Sequence, residues 1–299
     1  MMLATLLTAA AAYGARRGNG DLSTLEDEIR EYIGQIDARI GVAAIINGAD
    51  TIEVNGRKEF PMMSVFKFPL ALTVANIVET KNQTLNSMIT VSPDDLKTNT
   101  YSPMLKKYGR QPLELSLREL LEWSLKESDN NAADILLKVV GGVDGMNEAM
   151  KVLKMPADIS VGASEDDMHR DPFLIYLNRS TPLAMAQLFY RFLKEMKPAG
   201  GSCAEIAEML ETCRTGVDRI PAGIADSSAL VGHKTGTGDE LTPGRISAVN
   251  DAGYVVLSDG TAYSVAIFVA DSSCEFVETE RIISCLSEIV YNRVKNFAK

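Results

Sequence analysis

Three short motifs in this sequence set hydroxyl, ammonium and amide groups at spacings suited to nucleophilic catalysis. The first is Ser64-Val65-Phe66-Lys67. A serine and a lysine three apart share a helix face. The lysine takes the serine proton if neutral, or steadies the alkoxide if charged. Pro69 fits a helix only in its first turn. That puts Ser64 at a helix N-terminus, where backbone N–H groups favour negative charge. Alone the motif says little: it arises about once by chance in a chain of this length, and a solvated Ser–Lys pair explains it equally.

The second motif is Ser128-Asp129-Asn130, between two helical stretches. A hydroxyl and an amide in one turn pass a proton and hold a substrate amide. An N-cap, with Ser128 or Asp129 starting the next helix, is the competing reading. The third is Lys234-Thr235-Gly236-Thr237-Gly238, at the end of a strand. Its glycines let a ligand approach the backbone, and Lys234 and Thr235 offer charge and hydroxyl to a carboxylate. A glycine-rich strand end running into a loop is the plain alternative. The three together, in this order, have a chance occurrence on the order of one in a few hundred.

Composition narrows the classes. The 299 residues are 46% hydrophobic and 23% charged, a globular mix with ample chain for a core. Acids outnumber Lys and Arg 40 to 30, giving a net charge of −10, and no basic run stands out. Nucleic-acid binding is therefore disfavoured. The histidines are His169 and His233 alone, and the cysteines are Cys203, Cys213, Cys274 and Cys285. Without H-x-x-x-H or C-x-x-C spacing, a zinc enzyme is disfavoured. No apolar run reaches the roughly 20 residues that span a bilayer, so stable membrane insertion is not expected. The stretch Met1 to Ala15 is apolar and ends in small residues. It reads as the core and cleavage region of a secretory signal, or as a tail.

The elements that must position these motifs fall into an ordered pattern. Ser23 and Glu26 suggest a capping box ahead of the stripe Leu25, Ile29, Ile33 and Ile36. Gly41–Ile46 and Thr51–Asn55 read as paired strands. From Ser64 to Glu211 the pattern is mostly helical, with Leu115–Leu125, Ala132–Val140 and Pro182–Lys194 as examples. Strands return at Ala229–Thr235, Ile246–Leu257 and Thr261–Ala270, the last two joined by the turn Ser258-Asp259-Gly260. Val277–Val294 closes the chain as an amphipathic helix. The expected fold is α/β, an α+β sandwich: an antiparallel five-stranded sheet covered by helices, plus an all-helical lobe. Residues 21–60 and 215–299 would form one discontinuous α/β domain, 61–214 a helical domain, and 1–20 a signal remnant or tail. A cleft between the lobes is the natural place for a small-molecule site.

The motif set S-x-x-K, S-D-N and K-T-G is the signature of class A β-lactamases and penicillin-binding proteins. The chain resembles that superfamily from about Leu22 to its C-terminus, and the lobe order matches the family's. Within Ser164-Glu165-Asp166-Asp167-Met168-His169, the spacing selects Glu165 as the glutamate that, in class A enzymes, holds the deacylating water. Met62-Met63-Ser64-Val65-Phe66-Lys67, Thr215-Gly216-Val217-Asp218-Arg219-Ile220 and His233-Lys234-Thr235-Gly236 are similar to the cephalosporinase and extended-spectrum branch. His169 stands where most class A enzymes have asparagine, and this branch often has histidine.

The resemblance implies roles. Ser64 is the nucleophile. Lys67, or Glu165 through a water, takes its proton. Backbone N–H groups of Ser64 and Thr237 form the oxyanion hole. Ser128, beside Lys234, protonates the leaving nitrogen. Tyr101, Asn130 and His169 contact substrate, and Arg219, Thr235, Gly236 and Thr237 belong with Lys234 to the carboxylate pocket. The reaction needs no metal or organic cofactor, the partner is a small β-lactam, and a periplasmic or secreted monomer is expected. Some features depart from the pattern. Ala163 and Asn178 stand where the common enzymes close the glutamate loop with an Arg–Asp ion pair. Ala71 and Leu121 stand where some carry a disulfide. Asp239 and Glu240 add negative charge at the rim. A D,D-peptidase of peptidoglycan and a non-hydrolysing β-lactam sensor are the rivals; Glu165 and the compact length argue against the first, and the missing membrane helix against the second.

Overall fold

A computed structural model describes residues 22–297; the Met1 to Ala15 stretch lies outside them. The chain opens with helix α1 (Leu22–Ile33) and strands β1 (Arg39–Ile46) and β2 (Asp50–Val54). A mainly helical stretch follows: α2 (Lys67–Thr80), α3 (Pro103–Tyr108), α4 (Leu117–Lys126), α5 (Asn130–Val139), α6 (Gly142–Val152), α7 (Glu165–Arg170), α8 (Pro182–Arg191) and α9 (Gly201–Glu211). Short strands interrupt it: β3 (Phe60–Pro61), β4 (Met88–Val91), β5 (Leu113–Ser116) and β6 (Arg179–Ser180). Strands β7 (Leu230–Thr237), β8 (Glu240–Thr242), β9 (Arg245–Val256) and β10 (Ala262–Ser272) and helix α10 (Phe276–Phe297) close it.

The antiparallel sheet runs β2-β1-β10-β9-β7, with β8 attached to β9 as a sixth strand. The expectation of five strands is corrected by that short addition, whose three residues carry no readable alternation. Both faces of the sheet are buried. Along β10, Tyr263, Val265, Ile267 and Val269 point to the layer that holds Leu25 and Ile29 of α1 and Ile283, Leu286 and Val290 of α10. The alternate residues Ala262, Ala266 and Phe268 point to the helical side, where Phe68 stacks on Phe189 at 3.8 Å. This period of two is the pleat itself. Each fully buried large side chain here contributes about 1.5–3 kcal/mol.

Glu26 Oε1 of α1 accepts the N–H of Glu53 at 2.9 Å, tying that helix to β2; the side chain of Ser23 lies outside the described residues. Three local expectations are revised. Leu115 belongs to β5, paired with β4; Ser116 then caps α4, with Glu119 completing a capping box. Helix α8 ends at Arg191 and passes into a π-turn over Phe192–Met196. The lobe is not all-helical, since β3 pairs with β6 and β4 with β5. Among the described residues no helix is long and apolar enough to cross a membrane.

Candidate active site

Ser64 sits in a 3-10 turn, Met63–Phe66, that runs straight into α2. Pro69 is the third residue of α2, in the first turn as its chemistry requires. Lys67 is fully buried. Its Nζ reaches three acceptors: Ser128 O at 2.7 Å, Asn130 Oδ1 at 2.6 Å and Glu165 Oε1 at 2.9 Å. Three acceptors need three N–H bonds, which only the ammonium has. Ser64 Oγ donates to Glu165 Oε1 at 3.3 Å. One carboxylate oxygen thus meets both the nucleophile and the buried cation.

Asp129 is the N-cap of α5, accepting from Ala132 N at 2.9 Å, and it also accepts from Ser102 Oγ and Met104 N. The capping reading of the second motif holds for Asp129, and the cap fixes the residues either side of it. Ser128, with φ of 58°, turns its Oγ to Lys234 Nζ at 3.0 Å. Asn130 spends its Nδ2 on Thr100 Oγ1 at 2.9 Å and its backbone N–H on Tyr101 O.

Strand β7 is the sheet's edge on the cleft side. Gly238 gives its N–H to Ala248 of β9, so by strand alternation the N–H of Thr237 points to the open edge. Gly236 is needed for close approach: a Cβ there would lie 2.4 Å from Met62 O and 3.2 Å from Ser64 N. Lys234 is fully buried, donates to Ser128 Oγ and Thr235 O, and is pushed down by burial to about 7. Thr235 Oγ1 lies 2.6 Å from Thr215 Oγ1. Arg219 is buried and heavily engaged. Its Nη1 donates to Gly236 O and Asn250 O, its Nη2 to Thr237 Oγ1 at 2.7 Å, and its Nε to Glu280.

Glu165 is the first residue of α7, which Ser164 and Asp167 close with a capping box. Where the ion pair is missing, an amide does the holding. Asn178, fully buried, accepts from Gly162 N at 2.8 Å and Ala163 N at 3.0 Å, and donates to Ala163 O at 2.9 Å. Below, Asp134 accepts from Glu165 N at 2.8 Å and Asp166 N at 2.9 Å. Burial and the charge of Glu165 push the Asp134 carboxyl up to about 7, against the pull of those two N–H bonds. The sequence reading did not single out Asp134. It lies four residues after Asn130 on α5, hence on the same face, which was the available signal.

These groups surround a cleft of about 750 Å³. Ser64, Ser128, Asn130 and Glu165 line it, as do Arg219, Thr235 and Thr237. Tyr101 and His169 stand exposed at its rim. Lys67, Lys234 and Gly236 lie beneath its surface rather than on it. Asp239 lines the mouth, whereas Glu240 turns away to accept from Gly244 N. Ala71 and Leu121 are core residues.

The chain's relatives agree with this geometry. Residues 24–294 match the model of the β-lactamase enzyme family. β-Lactamase VEB-1 of Pseudomonas aeruginosa is 33% identical over 281 residues, 93% of each chain. The extended-spectrum β-lactamase PER-1 of the same organism is 30% identical, across 89% of this chain and 86% of its own. A solved class A β-lactamase of Bacteroides cellulosilyticus superposes with a TM-score of 0.87 at 34% identity, covering 93% of this chain and 100% of that one. Matched from end to end of its described fold, and with the three motifs meeting in one cleft, the chain belongs to the β-lactamase enzyme family, among the class A serine hydrolases.

Proposed function

We propose that this enzyme hydrolyses the amide of penicillins and cephalosporins through an ester on Ser64. The observation that carries the reading is the Glu165 oxygen shared between Ser64 Oγ and the Lys67 ammonium. An ammonium with every N–H engaged is no base, so Glu165 takes the serine proton and Lys67 stabilises the charge that develops. Ser64 Oγ attacks the carbonyl carbon, and the oxyanion falls to the N–H groups of Ser64 and Thr237. One such donor is typically worth about 3–4 kcal/mol. The C–N bond breaks as Ser128 protonates the nitrogen and Lys234 reprotonates Ser128. The proton on Glu165 returns to that pair, across Lys67, before deacylation. Glu165 then activates water to cleave the ester.

Substrate binding follows from the same groups. Lys234 supplies charge to the substrate carboxylate, and the hydroxyls of Thr235 and Thr237 donate to it. Arg219 serves this pocket through Thr237: its Nη2 holds the hydroxyl oxygen, leaving the O–H free to donate outward. Tyr101, Asn130 and His169 receive the side chain of the drug. The extended-spectrum relative supports a site open to cephalosporins. One chain supplies every group named, which supports a monomeric enzyme. The apolar Met1 to Ala15 stretch supports a periplasmic or secreted location.

Intact-protein mass spectrometry during cephalosporin turnover tests the reading, with drug absorbance followed in parallel. The expected result is a transient adduct on Ser64 with many equivalents of drug consumed. A stable adduct without turnover would remove Glu165 as a working deacylation base.

A further inference from the structure

Among the described residues, the buried side-chain oxygens without a hydrogen-bond partner are Glu53 Oε2 and the hydroxyls of Ser124, Ser247, Tyr263 and Tyr291. Of these residues Ser247 alone lines the cleft. It is the third residue of β9 and is 3% exposed. A hydroxyl that gives up water and gains no partner is destabilising. The proposed hydrolysis makes no use of it.

Gly238 and Met63 define its surroundings. A Cβ on Gly238 would lie 2.3 Å from Ser247 Oγ, 3.2 Å from Met63 Cε and 3.3 Å from Met63 Sδ. The missing side chain of Gly238 thus makes room for the hydroxyl, and the end of Met63 comes to the same place. Met63 also lines the cleft, as do Asp239 and Leu241. A methionine end turns about several bonds and adapts its packing readily, so a ligand can move it aside and reach the hydroxyl.

Position along β7 decides which part of a β-lactam arrives there. Gly238 lies three residues beyond Thr235, about 10 Å along an extended strand. With the substrate carboxylate at Thr235 and the scissile carbonyl at Thr237, the acylamino substituent projects from the far side of the four-membered ring. That direction leads to Gly238, Asp239 and Ser247. Ser247 N donates to Asp239 O at 3.0 Å, which joins the two residues. Asp239 is exposed at the mouth, and its carboxylate meets no cation among the described residues. A free hydroxyl oxygen and an unpaired carboxylate both accept, so the matching group on the ligand is an N–H donor.

We infer that Ser247 is a specificity-determining residue, its Oγ accepting a hydrogen bond from an amino group on the acylamino side chain of the substrate. A flat ring that bears the amino group suits the place, because the Met63 thioether packs well against a ring edge. This preference rests on the proposed β-lactam hydrolysis and selects among its substrates.

Cefotaxime and cefuroxime are the probes. Both carry a methoxyimino side chain, with an aminothiazole in the first and a furan in the second. They differ at C3 as well, so each drug is compared with itself between proteins. Ser247→Ala removes the hydroxyl and breaks no internal bond, so its Tm should not fall. Its kcat/KM for cefotaxime should drop roughly fivefold, the size of one uncharged hydrogen bond, mainly through KM. For cefuroxime the change should be less than about twofold. Equal losses for both drugs, no loss for either, or a larger loss with cefuroxime overturns the assignment. A lower Tm would mean that the hydroxyl has a partner within the fold, which overturns it too. Calorimetric binding of cefotaxime to Ser64→Ala, with and without Ser247→Ala, reads the same contact while no ester can form. A Kd raised by a similar factor is expected in the double variant; an unchanged Kd, or no binding to Ser64→Ala, overturns the assignment. A native enzyme that hydrolyses neither drug counts against the proposed function instead, and the two Kd values still decide Ser247.

Discussion

The Asn178 carboxamide closes on the backbone of Ala163 from both sides, accepting its N–H at 3.0 Å and donating to its carbonyl at 2.9 Å. A neutral amide thus performs the task an Arg–Asp pair performs in the common class A enzymes, and it avoids burying two charges. Asn178→Ala would leave three backbone groups of Gly162 and Ala163 without that partner. Such losses cost about 1–3 kcal/mol for each buried group left unpaired. The variant should melt lower, by roughly 2–4 °C per kcal/mol lost. Both its acylation and its deacylation should slow, because α7 carries Glu165 at its first residue. Thermal denaturation and single-turnover kinetics together check this. An unchanged Tm would show that the clasp is dispensable.

Asp134 makes the same region sensitive to pH. Its carboxyl is raised from an ordinary 3.8 to about 7 by burial and by the charge of Glu165. The folded chain therefore holds this proton more tightly than the unfolded chain. The contribution of the group to stability is present below 3.8 and is lost as pH rises through about 7. Asp134→Asn removes the titration and also one of the two backbone hydrogen bonds, a loss that does not vary with pH. Urea unfolding at about pH 5 and about pH 8 should show the variant gaining on the native enzyme at the higher pH. A difference between the two proteins that is constant with pH would clear Asp134 of any role in that slope.

The parts of the site that were legible in the sequence are those in which spacing along one element fixes the geometry. Ser64 and Lys67 are three apart on a helical turn, and Lys234 to Thr237 run along one strand. Strands β1, β9 and β10 were legible for a similar reason, since their apolar runs are buried on both faces. The two-residue strands β3 and β6 have no period to read, and β8 has little more. The tie of Glu26 to β2 was hidden because it is made through a contact 27 residues away. The clasp of Asn178 was hidden because its partners are backbone groups, which every residue type offers alike. Arg219 was legible as a cation near Lys234, but its use on Thr237 depended on four acceptors drawn from three other elements.

Gly236→Ala tests whether contact between β7 and the Ser64 turn sets the catalytic geometry. The added methyl would meet Met62 O at 2.4 Å and Met63 Cβ at 3.0 Å, atoms that belong to backbone and core rather than to a free side-chain end. The turn must shift, and a shift of about 1 Å at a reacting group typically loses on the order of 10²-fold in rate. A fall of that order in kcat/KM is expected with a smaller change in Tm. Full activity in the variant would show that the turn yields without moving Ser64.

Glu165→Gln tests both half-reactions, because Glu165 is proposed to take the proton of Ser64 in the first and of water in the second. The amide cannot accept either proton, and general base catalysis contributes about 10²–10⁴-fold. About 3–5 kcal/mol of barrier should return to each step, so single-turnover kinetics should show both the formation of the ester on Ser64 and its hydrolysis slowed. Turnover equal to the native rate would remove Glu165 from the mechanism.

Lys234 is expected to set the alkaline limit of the reaction. Its ammonium is fully buried, and its hydrogen-bond partners, Ser128 Oγ and Thr235 O, are uncharged. Burial therefore dominates and brings it down to about 7. Below that pH it is charged and attracts the substrate carboxylate; above it the attraction fades. Since kcat/KM follows the free enzyme, it should begin to fall near pH 7. In the complex the bound carboxylate favours the charged lysine, so kcat should hold to higher pH. Lys234→Arg keeps its charge throughout, so the limb should move upward even where the wider guanidinium lowers the maximum. The Cys213 thiol titrates in the same range, and Cys213→Ser distinguishes the two. A limb that stays in place in Lys234→Arg and vanishes in Cys213→Ser would assign it to the thiol; the reverse pattern assigns it to Lys234.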